Sequence, residues 1–167
     1  MSGTDPAGSD SQFLQRVTAV VPVRNGAALL PGCLRALRCN GVGHVVVVDG
    51  MSSDRSRTIA AEHGAVVISD EGRGLPYART LGARTATTDL VVLVDVDVVF
   101  PDGAVAALVR EFLAGGYGAL QAGLESVGGP GYWGRALAHH HRTGRSRHWF
   151  GLVATVFERD DLLATGF

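Results

Sequence analysis

The sequence predicts an α/β protein with a mainly parallel sheet flanked by helices. Four short apolar runs rich in β-branched residues, at 17–23, 44–48, 65–68 and 90–94, alternate with segments whose apolar residues recur at helical spacing. Unbroken apolar runs are typical of strands buried on both faces, as in a parallel sheet. Because right-handed crossovers bring the carboxyl ends of such strands to one edge, the polar residues after each run are expected to meet there.

Composition limits the class of protein. The 167 residues are 46% hydrophobic and 19% charged, which is enough for one globular domain with a core. The net charge of −1 gives no general attraction to nucleic acid. Every basic residue other than histidine is Arg, so mechanisms that need a lysine are excluded. Cys33 and Cys39 have neither a zinc nor a disulfide spacing, and no apolar run is long enough to cross a membrane. We therefore expect a cytoplasmic protein, with the inner face of the membrane as the alternative location.

Helices are predicted between the first four strands. Asn40 and Gly41 end the first helix, and Ser53 or Asp54 is placed to cap the second. The three helices are expected to end near residues 39, 63 and 87, and a loop at 69–74 precedes the last.

The second part of the chain has a different pattern. A helix is predicted at 102–114, begun by Pro101 and Asp102 and stopped by Gly115 and Gly116. The remaining expected elements are a strand at 117–124, a mobile glycine-rich loop at 125–131, a partly helical segment at 132–148, a strand at 150–157 and a helix or turn from 158.

Two carboxylates follow the fourth apolar run. Asp95 and Asp97 stand at i and i+2, so on an extended backbone both would point toward one ligand. Two carboxylates at such a short separation repel each other unless a cation lies between them. A divalent cation bound to a phosphate would provide that positive charge. Acids are also common where strands end, so this pair alone is a weak signal.

Four segments together are more specific. They read VVPVRN at 20–25, VVDGMSSD at 47–54, GLPYARTLG at 74–82 and LVDVD at 93–97. In motif, order and spacing they resemble the inverting GT-A glycosyltransferases of family 2. The resemblance implies the GT-A nucleotide-diphospho-sugar transferase fold, with a nucleotide-sugar-binding half at 16–100 and an acceptor-side half at 101–167. The start of the chain is rich in Ser, Gly, Asp and Pro, and a disordered tail is expected at 1–15.

The resemblance also implies a metal-assisted transfer of a sugar, with inversion, from a nucleoside-diphosphate sugar to an acceptor hydroxyl. Asp49 would accept hydrogen bonds from the nucleobase, and Arg79 would reach the base or a phosphate with its planar fork. Asp95 would lie near the ribose or a metal-bound water, and Asp97 would bind Mg²⁺ or Mn²⁺ bridging the two phosphates. The other donor-binding candidates are Pro22, Val23, Arg24, Asn25 and Val96.

The chain departs from the family pattern at several positions. Met51 replaces a usual Gly, so that turn must avoid positive φ or bear strain. Thr80 replaces the usual Asn, and Arg24 stands where an aromatic or small residue is frequent. The family's general base is an Asp in an acidic pair shortly beyond the point that matches Phe167, so no catalytic residue is assigned and the chain is expected to be incomplete at its carboxyl end.

Other interpretations stay open. A non-catalytic nucleotide-sugar-binding fragment or module is one alternative, because the general base is missing. A nucleotidyltransferase of related fold would also use D-x-D and a metal, whereas a dinucleotide-binding oxidoreductase would need a G-x-G-x-x-G that is missing. The acceptor can be a glycan, a lipid or a small molecule. Residues 135–148, from Arg135 to His148, carry Arg and His without an acid, and are interpreted either as a solvated face or as a contact with acceptor phosphate or an anionic membrane.

Overall fold

The described part of the chain forms one six-stranded sheet with helices on both faces. The structure, a computed structural model, describes residues 11–125, 139 and 151–165. The strands run in the order β3-β2-β1-β4-β6-β5 across the sheet. They are β1 (Val17–Val23), β2 (His44–Asp49), β3 (Val66–Ser69), β4 (Leu90–Leu93), β5 (Ala119–Gln121) and β6 (Thr155–Glu158).

The first four strands are parallel, as the sequence predicts. β1 pairs with β2 on one side and with β4 on the other, and β2 pairs with β3. β6 lies antiparallel between β4 and β5, so the sheet continues into the second part of the chain. Both of these later strands are shorter than the predicted 117–124 and 150–157.

The helices cover the two faces of the sheet. They are α1 (Leu30–Cys39), α2 (Ser56–Glu62), α3 (Leu75–Thr85), α4 (Ala104–Gly115) and α5 (Arg159–Thr165). α1, α2 and α4 contribute to the core on one face, together with the alternate β1 residues Val17, Ala19 and Val21. α3 and α5 pack on the other face, against a core that includes Val20 and Val48.

A buried amide joins the end of α1 to the start of α4. Asn40 is the residue after α1, and its side-chain N–H₂ donates to the carbonyl of Ala36 at 3.0 Å and to that of Phe100 at 3.4 Å. Its side-chain oxygen accepts from Val105 N at 3.2 Å. α4 therefore begins at Ala104, after Gly103 with a φ of 77°, and not at Pro101 and Asp102 as predicted.

Helix α3 lies unusually close to the sheet. A Cβ added at Gly82 would lie 2.2 Å from Cγ1 of Val20 in β1 and 3.1 Å from Cγ2 of Val48 in β2. Only a glycine permits this approach, which places the first turns of α3 beside the carboxyl ends of the strands.

The structure corrects the predicted amino-terminal tail and does not describe most of the glycine-rich and basic segments. The predicted tail extends too far, because residues 11–14 are helical and Leu14 is buried against Gly41. Predictions for residues 1–10, 126–138 and 140–150 lie outside the described residues, and this includes most of the basic segment 135–148. None of the helices in the described part of the chain has the length and apolar character needed to cross a bilayer.

Candidate functional site

The strand order creates a crevice at the carboxyl end of the sheet. From β1 the chain proceeds outward to β2 and β3, and it then returns to place β4 on the other side of β1. Ligands of open α/β sheets bind where the strand order reverses in this way. The reversal lies between the ends of β1 and β4, which are followed by residues 24–26 and 95–97.

Pro22 lies beyond the point at which β1 stops pairing with β4. The ladder between β1 and β4 ends at the pair Val20 and Leu93, so Pro22 needs no N–H toward β4 even though it lies in a central strand. Pro22 and Val23 are buried, whereas Arg24 and Asn25 are exposed. The two exposed residues are therefore the ones whose side chains this turn offers to a ligand.

Hydrogen bonds connect the turn after β1 to the turn after β2. Asn25 N donates to Ser52 Oγ at 2.8 Å, and Ser53 N donates to Asn25 Oδ1 at 2.8 Å. Gly50 N also donates to the carbonyl of Val23 at 2.8 Å. Asn25 has a φ of 53°, a conformation that Asn tolerates better than most residues. The two turns thus form one connected unit.

Asp54 adds a second connection that the sequence predicts only as a helix cap. Its carboxylate accepts from Ala27 N at 2.9 Å and from both the N–H and the hydroxyl of Ser56, the first residue of α2. Hydrogen bonds from Ser56 and then from Ala27 hold the pKa of Asp54 below its usual value. The N-cap of α2 is Arg55 and has no side-chain cap, so neither Ser53 nor Asp54 occupies the predicted cap position. Asp54, one residue earlier, accepts hydrogen bonds from the first N–H of α2 and from the turn after β1.

Asp49 is buried at the end of β2. Its side chain is 1% exposed, and both oxygens accept from Ser52 N, at 3.3 and 3.2 Å. Arg57 Nε lies 4.0 Å from Asp49 Oδ2, and the Arg57 side chain is 63% exposed. Asp49 therefore organises its turn, and its carboxylate retains lone pairs for a further donor.

A third turn lies beside the first two. Asp70, after β3, is buried and accepts from Gly72 N at 2.8 Å and Gly74 N at 3.2 Å, while its own N–H donates to the carbonyl of Asp49. Asp70 is not among the residues predicted to form the site, although an Asp two residues before a Gly is a turn signal that could have identified it.

In the turn after β2, Met51 has a φ of 60°. The turn therefore does not avoid positive φ at this position, and it bears the backbone strain expected from the sequence as the other possibility.

Arg79 is paired and not free. Its Nη2 donates to Asp95 Oδ1 at 2.9 Å, and the side chains are 10% and 31% exposed respectively. The Arg79 Nε is buried without a hydrogen-bond partner. α3 thus brings a guanidinium to the end of β4, where it compensates the charge of one of the two carboxylates.

Asp95 and Asp97 lie on a turn and not on an extended strand. β4 ends at Leu93, and Val98 N donates to the carbonyl of Asp95 at 3.0 Å. The predicted extended backbone at this pair is therefore wrong. Burial raises the pKa of the Cys33 thiol to about 12, and the charges of Asp97 and Asp95 add to this effect.

Residues 95–98 differ in exposure, with Asp97 exposed and the other three half-buried. The side chain of Val96 packs toward Gly26, where an added Cβ would lie 3.2 Å from Val96 Cγ2.

In α3, the Thr80 hydroxyl donates a hydrogen bond to the carbonyl of Pro76 in the same helix. Within residues 11–125, 139 and 151–165, no group of three or more His, Cys, Asp or Glu side chains is arranged to hold a metal ion.

A separate cavity of about 210 Å³ lies at the other end of the strands from the crevice, where β4 begins and β6 ends. The residues that line it are Thr87, Thr88, Asp89, Glu158, Arg159 and Asp160. Nearby, the guanidinium of Arg16 bonds to Asp89 and lowers the pKa of that carboxyl. None of the predicted site residues lies there.

Comparison with known families gives a match over most of the chain. The model described as glycosyl transferase family 2 matches residues 18–159. A protein of Mycobacterium tuberculosis described as an uncharacterised glycosyltransferase is 36% identical over 95 residues, which cover 57% of this chain and 43% of the relative. The low-salt glycan biosynthesis hexosyltransferase of Haloferax volcanii is 31% identical over 94 residues, with coverage of 53% and 22%. The chain thus spans less than half the length of these relatives.

Solved structures agree on the fold. Glucosyl-3-phosphoglycerate synthase from Mycobacterium tuberculosis, in complex with phosphoglyceric acid, has a TM-score of 0.67 at 21% identity and covers 96% of this chain and 63% of that one. A mannosyltransferase from Pyrobaculum calidifontis, in complex with GDP-Man and Mn²⁺, has a TM-score of 0.63 at 22% identity, with coverage of 92% and 51%. These likenesses confirm the predicted GT-A fold.

Proposed function

The chain belongs to glycosyl transferase family 2, and from that premise we propose that it binds a nucleoside-diphosphate sugar in the crevice between β1 and β4. In the whole protein this site would serve transfer of the sugar to an acceptor hydroxyl, with inversion and with the help of a divalent cation. The observation that carries the proposal is the meeting of three polar turns, after β1, β2 and β4, at the reversal of strand order.

The carboxylates after β4 suit a hard cation. Magnesium is commonly held by one or two carboxylates together with substrate phosphates and water, and manganese accepts the same oxygen ligands. Asp97, which is exposed, would hold the cation, and Asp95 would lie beside it. When bound, the cation supplies charge neutralisation on the departing diphosphate.

Arg79 would act in this site through Asp95. Its hydrogen bond fixes one oxygen of the Asp95 carboxylate and leaves the other available to the ribose or to a metal-bound water. The guanidinium also reduces the repulsion between Asp95 and Asp97 before any ligand binds. This is a positioning role, and it differs from the direct contact with the base or a phosphate that the sequence predicts.

The turns after β1 and β2 would receive the nucleoside. Asp49 retains acceptor capacity for a base N–H, and contact with the base would require the nearby Arg57 side chain and the turn itself to adjust. Arg24 is exposed at the crevice and would donate to a base carbonyl or a phosphate.

The relatives suggest which donors to test first. The Mycobacterium tuberculosis synthase has been solved with Mn²⁺ and UDP-glucose, and the Pyrobaculum calidifontis enzyme with GDP-Man and Mn²⁺. Uridine and guanosine nucleotides are therefore the leading candidates. The acceptor remains a glycan, a lipid or a small molecule, because the relatives differ in this respect.

Calorimetric titration of the full chain with UDP, GDP and dTDP, with and without Mn²⁺, tests the proposal. We expect binding of at least one nucleotide that depends on Mn²⁺ and falls at least about tenfold in Asp97→Asn, which corresponds to about 1.4 kcal/mol. Asp102→Asn removes the same charge from an exposed position nearby and should bind like wild type. Absence of binding by a chain that unfolds cooperatively on heating would contradict the donor site.

The leading alternative is a non-catalytic module that binds the donor. It predicts the same Mn²⁺-dependent binding but no release of nucleoside diphosphate from the donor in the presence of any acceptor. Family membership favours a transferase over the nucleotidyltransferase and oxidoreductase alternatives.

A further inference from the structure

Met51 adopts a backbone conformation that disfavours its own side chain. Its φ of 60° lies in the left-handed region, which glycine enters without penalty and other L-residues enter at a cost. Strain of this kind is concentrated at functional sites, where the side chain has a use that offsets it. The observed strain therefore raises the question of what the Met51 side chain contributes.

Burial does not explain the side chain. Met51 is 63% exposed, so it adds little to the hydrophobic core. Its thioether lies over the backbone of the neighbouring turn, because a Cβ built on Gly72 would lie 3.1 Å from Met51 Sδ. Asp70 fixes that turn through its hydrogen bonds to Gly72 N and Gly74 N. The Met51 side chain is thus an exposed apolar surface on the turn after β2 that lies against the turn after β3.

The position of this surface relates it to the donor. Met51 follows Asp49 by two residues, and the turn that carries both is bonded to the turn after β1. We propose that the Met51 thioether forms an apolar wall against which the nucleobase of the donor lies. This inference rests on the proposed function and adds a residue that contacts the base and not the diphosphate. A thioether suits the role because it is polarisable and contacts aromatic rings favourably.

Two substitutions at this position separate the wall from the strain. Met51→Gly removes both, so it should raise the melting temperature by about 2 to 4 °C and weaken nucleotide binding about three- to tenfold. Met51→Leu keeps an apolar side chain at the same φ, so its affinity should stay within about twofold of wild type. The ligand is whichever of UDP, GDP and dTDP wild type binds most tightly, titrated in the presence of Mn²⁺.

Pyrophosphate provides the control for the ligand, and Glu71→Gly provides it for the protein. Pyrophosphate has no base, so Met51→Gly should bind it as wild type does. Glu71 is also exposed with a positive φ, of 55°, in the adjacent turn, so Glu71→Gly relieves comparable strain without removing the wall. Its loss of charge should affect nucleotide and pyrophosphate equally.

The outcomes distinguish this inference from the proposed function. Unchanged nucleotide affinity in Met51→Gly, or an equal loss for pyrophosphate, overturns the wall alone. Wild-type protein that binds none of the three nucleotides overturns the proposed function and the wall together.

Discussion

The pair formed by Arg79 and Asp95 should respond unequally to loss of either partner. The Arg79 side chain is 10% exposed and the Asp95 side chain is 31% exposed. Removing Asp95 leaves an unpaired guanidinium that is nine-tenths buried, whereas removing Arg79 leaves a carboxylate that is only partly buried. The relevant substitutions are Asp95→Ala, Arg79→Met, which preserves an apolar stem of similar length, and the double variant.

The magnitudes follow from what each substitution leaves behind. In Asp95→Ala, Nη2 joins the already unpartnered Nε of Arg79, and we expect a loss of about 3 kcal/mol, the lower end for breaking a buried pair. In Arg79→Met, the unpartnered Nε disappears and Asp95 gains water, so the loss should be about 1 kcal/mol. The double variant should also lose about 1 kcal/mol, because no unpaired buried charge remains.

Urea unfolding at equilibrium, followed by circular dichroism, measures these differences, provided that the slope with denaturant is unchanged. The expected double-mutant coupling, the sum of the two single losses minus the double loss, is about 3 kcal/mol. Equal losses for the two single variants, or losses that add in the double variant, would refute the view that the buried guanidinium dominates the pair.

Three further predictions follow from the helices and the edges of the sheet. Gly82→Ala should destabilise the protein by about 2 kcal/mol in urea unfolding, because the added Cβ would overlap β1. Gly32→Ala in α1 is the control, and it should stabilise the protein by about 0.5 to 1 kcal/mol because nothing lies within 4 Å of the added Cβ. Equal losses of stability in the two variants would contradict the close approach of α3 to the sheet. A thiol reagent should modify Cys39, which is exposed, and spare Cys33, which is buried, until urea unfolds the chain; rapid modification of both native thiols would contradict this. The folded pKa of Asp89 lies below its unfolded value of about 3.9, so the contribution of this carboxylate is present above that pH and is lost as the pH falls through the folded pKa. Asp89→Asn should therefore lower the melting temperature at about pH 7 and narrow its difference from wild type at about pH 3, and a constant difference would argue against the ion pair.

Local signals account for the parts of the site that the sequence predicts. The run of apolar residues in β1, β2 and β4 is visible in the sequence, and so is the polar residue at which each run ends. The turn at Asp95 is not predicted from the sequence, because Val96, Val98 and Val99 are apolar and β-branched like the residues of a strand. The hydrogen-bonded strand nevertheless ends at Leu93.

Contacts between distant elements account for what the sequence does not reveal. Arg79 meets Asp95 because Gly82 allows α3 to approach β1, and no local pattern contains that distance. The start of α4 depends in the same way on Asn40, which lies more than one element away in the chain. Such contacts become predictable only when the packing of helices on the sheet is known.

The position of β6 has a consequence for synthesis on the ribosome. All four residues of β4 are buried, yet one side of this strand pairs with residues that lie about sixty positions further along the chain. At about 5 to 20 residues per second, translation leaves that apolar edge without its partner for several seconds. A nascent chain that has already paired β1 to β4 would expose the unpaired side of β4 during this interval, and an exposed strand edge can pair with another chain.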